Sequence, residues 1–67
     1  MSSIAKSLLK EGSLIRAIKP FPGLRPDELC IVMRDGEHLF IMTDQGKVFL
    51  KDHYTFFGYL DGFVLVR

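Results

Sequence analysis

Apolar and polar positions follow two different periods along this chain. Over residues 3–11, Ile4, Ala5, Leu8 and Leu9 recur at helical spacing, with Lys6, Lys10 and Glu11 off the stripe. That pattern predicts a short amphipathic helix. Ser2 or Ser3 can cap it, because a serine hydroxyl accepts a first-turn N–H. Gly12 suits the position just past its last turn. A helix of about nine residues is marginal alone in water, so its stripe must dock on something.

After Gly12 the period drops to two. Strands are predicted over residues 13–19, 28–34, 38–43 and 47–51. Residues 20–27, between the first two, hold Pro20, Pro22, Pro26 and Gly23. Each proline fixes φ and removes a donor, so this stretch cannot pair as an inner strand and reads as a stiff loop. Asp35-Gly36 suits a tight hairpin, and Asp44-Gln45-Gly46 a turn with positive φ at its glycine. Residues 52–55 read as a single 3₁₀ turn with Asp52 as its cap. The final stretch is either a hairpin around Asp61-Gly62 or a bent pair of strands. Turn signals at this spacing predict a mainly β domain.

The central hairpin is apolar on both faces. His38, Phe40 and Met42 alternate with Leu39, Ile41 and Thr43, and Leu29, Ile31 and Met33 alternate with Cys30, Val32 and Arg34. An antiparallel sheet with one wet face should show a polar second face. The expected cover is the N-terminal helix, through Ile4, Leu8 and Leu9, with a second copy or a partner as the other candidate. Tyr54, Phe56, Phe57 and Tyr59 crowd six positions, with Phe63 close behind. Most of these are expected to supply core, and any left exposed would mark a binding surface.

Composition bounds the rest. Sixty-seven residues make one domain, residues 1–67, with 48% hydrophobic and 25% charged residues, as folded proteins have. So small a domain buries only about 60% of its unfolded surface, which leaves stability marginal unless packing is good or copies associate. The net charge of +1 argues against strong steering toward nucleic acid or membrane. The lone Cys30 excludes an internal disulfide and favours a reducing, cytoplasmic location. The N-terminal stretch lacks the long apolar core of a signal peptide.

The order of elements resembles SH3-like barrels, especially the minimal stand-alone ones of bacteria and bacteriophages. It is carried by "EGSLIRAIK", the loop "PFPGLRPDEL", the hairpin "CIVMRDGEHLFIMT", and "DQGKVFLKDHYTFF" before the closing strand. The resemblance covers roughly residues 12–67 and is one of order and turns, with no signature motif. It implies a small SH3-like barrel of five to six short antiparallel strands over residues 13–67, preceded by the helix over residues 1–12. It also implies a ligand surface between the first loop and the turn before the last strand: Phe21, Leu24 and Arg25 with Asp52, His53 and Tyr54. Tyr59 joins them from the aromatic run. The tryptophan wall that reads proline peptides is absent, so PxxP ligands are not expected.

Chemistry is sparse. No phosphate loop, metal spacing or paired thiol appears, and most aspartates sit in turns, where local backbone bonding favours them. Neither an enzyme nor a cofactor is expected. The leading expectation is a non-catalytic protein-binding module, a small phage-type regulator or inhibitor of a larger host protein, by analogy with such modules. One alternative is a nucleic-acid-binding small barrel using Arg16, Lys47, Phe49 and Lys51, basic groups beside an aromatic. Another is a structural subunit that oligomerises through the apolar second face.

Overall fold

The computed structural model of the chain describes residues 3–67. The N-terminal segment is a strand followed by one 3₁₀ turn, not the expected helix. β1 (Ser3–Ala5) lies antiparallel to β7 (Tyr59–Asp61), with Ile4 opposite Leu60, and the turn covers Lys6–Leu8. Tertiary pairing outweighs helical periodicity here. Strand pairing buries Ile4, and Lys6 N–H donates to the Gly58 carbonyl at 2.8 Å. A nine-residue helix offers few internal bonds to set against that. The apolar stripe is split accordingly: Leu9 is buried in the core while Leu8 stays 58% exposed. Ser3 belongs to β1, and no side chain caps the 3₁₀ turn. Ser2 lies outside the described residues. Gly12 ends no helix; its N–H donates to the Val32 carbonyl at 2.8 Å.

The rest is β, giving eight strands in three antiparallel sheets among the described residues. β2 (Leu14–Ala17) is the middle strand of one sheet, between β3 (Leu29–Ile31) and β8 (Phe63–Leu65). Ile15 faces Cys30 on one side and Leu65 on the other. β4 (Met33–Asp35), β5 (His38–Thr43) and β6 (Gly46–Phe49) form another sheet, in that order.

Two of the expected strands are bent. Residues 28–34 break at Val32, whose N–H donates to the Ser13 carbonyl at 2.8 Å. β3 before the break pairs with β2, and β4 after it pairs with β5. The last segment breaks at Gly62, so the bent pair forms rather than the hairpin: β7 pairs with β1 and β8 with β2. Gly62 has φ +85°, and a Cβ there would lie 3.3 Å from the Lys19 Cβ. The strand expected over residues 47–51 ends at Phe49, and the 3₁₀ turn falls on Leu50–Asp52. Leu50 anchors that turn in the core, and Asp52 closes it without capping it. The Asp44–Gln45 loop joins the paired residues Thr43 and Gly46.

The core gathers Ile4 and Leu9, Ile15 and Ala17, Val32, Ile41, Leu50, Leu60 and Phe63. The second face of the central hairpin, expected to be covered by Ile4, Leu8 and Leu9, leaves Leu29, Ile31 and Met42 exposed. Phe40 is only 7% exposed because its own sheet covers it: the Lys47 ammonium sits 4.7 Å from its ring centroid and the Phe49 ring 5.9 Å away. Lysine stems commonly shield apolar surface in this way while the charge stays in water.

The split stripe makes a prediction. Leu9→Ala should cost about 2–4 kcal/mol in chemical denaturation, as truncation of a buried leucine does. Leu8→Ala should stay within about 0.5 kcal/mol of wild type. Equal losses at the two positions would contradict the strand and turn described for this segment.

Candidate functional site

The proline loop after β2 is closed at its base by backbone bonds. Asp27 N–H donates to the Ala17 carbonyl and Ala17 N–H to the Glu28 carbonyl, each at 3.1 Å. Midway, Asp44 N–H donates to the Gly23 carbonyl at 2.9 Å, which ties the loop to the β5–β6 turn. Only glycine fits there: φ is +80°, and a Cβ would come within 2.8 Å of the Thr43 Oγ1. The Arg25 N–H donates to the Glu28 Oε1 at 2.8 Å.

Held at these points, the loop shapes a recess of ≈490 Å³. Its wall includes Pro20, Phe21, Pro22, Leu24, Arg25 and Pro26. Phe21 is half-buried between the His53 ring at 5.2 Å and the core ring of Phe63 at 5.4 Å. Leu24 packs on the core from the same loop. Phe21, Leu24 and Arg25 therefore line one concavity, and His53 adjoins it through Phe21. Asp52 is exposed at the end of the 3₁₀ turn.

The other two expected residues lie elsewhere. Tyr54 is half-buried in a recess with Lys6, Leu9 and Lys51, and the Lys6 ammonium stands 5.4 Å from its ring centroid. Tyr59 lines a different recess with Ala5, Lys6, Ser7 and Phe57.

Of the alternative set, Lys47, Phe49 and Lys51 come together, with the Lys51 ammonium 5.8 Å from the Phe49 ring and Phe49 against Phe40. The Lys47 ammonium is already paired with Asp35 at 3.1 Å. Arg16 belongs to another sheet, opposite Leu29 and Val64 on β2.

The aromatic run is not the core reserve its sequence suggests. Phe56 is 96% exposed and Phe57 81% exposed. They occupy the tip of a turn in which Gly58 N–H donates to the Thr55 carbonyl at 2.9 Å and Thr55 N–H to the Tyr59 carbonyl at 2.7 Å. Tyr59 is also exposed, whereas Phe63 lies in the core and Tyr54 packs against it. Burial preference places phenylalanines inside; the signal for the opposite is Thr55 and Gly58 bracketing the pair at turn spacing.

Titratable chemistry is muted. Burial pushes the Cys30 thiol above its ordinary value, and Glu28 pushes it further, which disfavours the reactive thiolate. Burial likewise raises Tyr54. Among the described residues no cluster of histidine, cysteine and carboxylate groups has the geometry to hold a metal ion. No helix among them is long and apolar enough to cross a membrane.

Those two shifts give stability an alkaline limit. Above its ordinary pKa each group ionises more readily in the unfolded chain, so the unfolded state binds fewer protons than the native state. Stability then falls as pH rises. Denaturation midpoints should hold steady through neutral pH and decline above about pH 9, first through the thiol and then the phenol. Tyr54→Phe should lose less stability than wild type between about pH 9 and pH 11; an identical decline would exclude Tyr54 as a source.

Comparison of the chain with protein-family models, curated proteins and solved structures finds no match.

Proposed function

We propose that this chain is a non-catalytic protein-binding module of SH3-like architecture, and that its first-loop recess receives an apolar side chain of the partner. The order of elements supports the architecture. β2 leads through a long loop to a bent strand, two tight turns and one 3₁₀ turn, and the final strand, β8, returns to pair with β2. The recess walled by Phe21 and Leu24 carries the functional reading. It is concave, mostly apolar and bordered by the charged side chains of Lys19, Arg25 and Asp27, the character expected of a site that takes an apolar anchor with a polar rim. The loop's prolines and its tie at Gly23 reduce the entropy lost on binding. By the analogy of stand-alone modules, the partner is a larger host protein, met inside the cell.

The alternative, nucleic-acid binding through Lys47, Phe49 and Lys51, has its residues assembled in one place. Its basic surplus is reduced by the Lys47–Asp35 pair, and single-strand binding normally draws on a clustered positive groove.

A displayed library of short peptides, panned on the protein held dilute, separates these readings. Selected peptides should share an aromatic or aliphatic anchor and perturb Phe21, Leu24 and Arg25 in NMR titrations. Arg25→Ala should weaken them by roughly 5- to 10-fold, as loss of one rim contact does. Micromolar, salt-dependent binding of an oligothymidylate at ~150 mM salt, with no peptide selected, would sink the protein-binding reading.

A further inference from the structure

We propose that the chain pairs with a second copy of itself by exchanging turns, with Phe56 and Phe57 of each copy seated in the first-loop recess of the other. This inference rests on the reading of that recess as a receptor for apolar side chains.

The knob is built to be presented. The Phe56 and Phe57 rings meet edge to face at 5.3 Å and so present one joined apolar surface. The turn beneath them is fastened on both sides: Tyr59 N–H donates to the Thr55 Oγ1 at 3.1 Å, and Lys6 N–H to the Gly58 carbonyl at 2.8 Å. A chain this small that leaves two adjacent phenylalanines in water forgoes a large share of its available apolar burial.

The matching hole is on the same molecule. At ≈490 Å³ the first-loop recess lies within the usual span, about 300–1,000 Å³, of sites that enclose compact apolar groups. The hole also adjoins residues that flank the knob in sequence. Ile18 N–H donates to the Gly62 carbonyl at 2.9 Å, Lys19 pairs with Asp61 at 3.2 Å, and the Phe21 ring meets His53. The first loop thus meets the chain before and after the turn, at His53 and at Asp61–Gly62.

Buried area decides the symmetry. An aromatic side chain buries about 150–250 Å². Two rings and the surface they cover give at most roughly 800–1,000 Å² for one seated turn. A stable interface needs about 1,200–2,000 Å². One contact falls short; two contacts related by a two-fold axis reach the range, and a two-fold exchange closes on itself at two copies. Charge agrees with this pairing. Lys6 stands beside Phe57 in a recess with no carboxylate in its wall, whereas in the first-loop recess Lys19 is taken up by Asp61, and Asp27 with the neighbouring Glu28 and Asp44 outnumbers Arg25.

Sedimentation equilibrium between about 10 µM and 1 mM, the span where interfaces of modest area assemble, tests this. The wild-type mass should climb toward twice the monomer mass and stop there. Phe56→Ser/Phe57→Ser, at exposed positions, should keep its circular dichroism and melting profile and stay monomeric throughout. Pro22→Glu, which puts a charge at the recess, should also stay monomeric; Pro26→Glu serves if that variant loses its fold. A wild type that remains monomeric at 1 mM, a dimer that survives either change, or growth past two copies would each overturn the exchange. Peptide binding without a dimer refutes the exchange alone. A dimer without peptide binding refutes the protein-binding reading alone.

Discussion

β2 is hydrogen-bonded along both edges, and the rest of the molecule is arranged around that fact. Four residues, Leu14–Ala17, bring together β3 from the middle of the chain and β8 from its end. Sixty-seven residues supply too few strands for separate layers, so two segments serve two sheets each. The chain around Val32 leaves β2 for β5, and the chain around Gly62 leaves β1 for β2. Val32 is buried at its bend, and at Gly62 a positive φ and the approach of Lys19 leave no room for a side chain. These bends let a small core touch every sheet.

The first-loop recess follows from the same economy of residues. Phe21 is half in the core and half in the recess, wedged between Phe63 and His53, so the loop's position is tied to packing and not to its prolines alone. Gly23 adds a second tie by lying directly against Thr43. The Phe56–Phe57 turn is the opposite case. Its backbone is as well fastened, yet its side chains touch little except each other. An apolar recess and an apolar projection on one small domain are what the proposed modes of association draw on.

Several elements were legible along the chain because their cause is local. Prolines 20, 22 and 26 exclude pairing wherever the loop lies. The turn between β4 and β5 was legible at Asp35-Gly36, although Asp35 pairs with His38 and the two loop residues are Gly36 and Glu37, and the period-two alternation of residues 38–43 became β5 without change. Phe21, Leu24 and Arg25 were found as a group because loop neighbours line one recess almost by necessity. Tyr54 and Tyr59 did not join them, since which side of a strand meets which neighbour depends on a register that no short window contains. The segment around Ile4 and Leu9 misled for a related reason: its helical spacing is real, but Leu60 and Gly58, more than fifty residues away, supply the partners that make it extended.

The sequence by itself determined a mainly β domain, the places where strands cannot run and the stiffness of the first loop. These rest on φ restrictions, missing donors and residue types, which act within a few bonds. Only the tertiary structure decided which strands bend, that Lys47 shields Phe40, that Phe63 is core while Phe56 and Phe57 face water, and that the loop's apolar residues enclose a recess. Each of these is a competition between distant partners for the same backbone groups or the same apolar surface, and its outcome is set by the whole chain's packing.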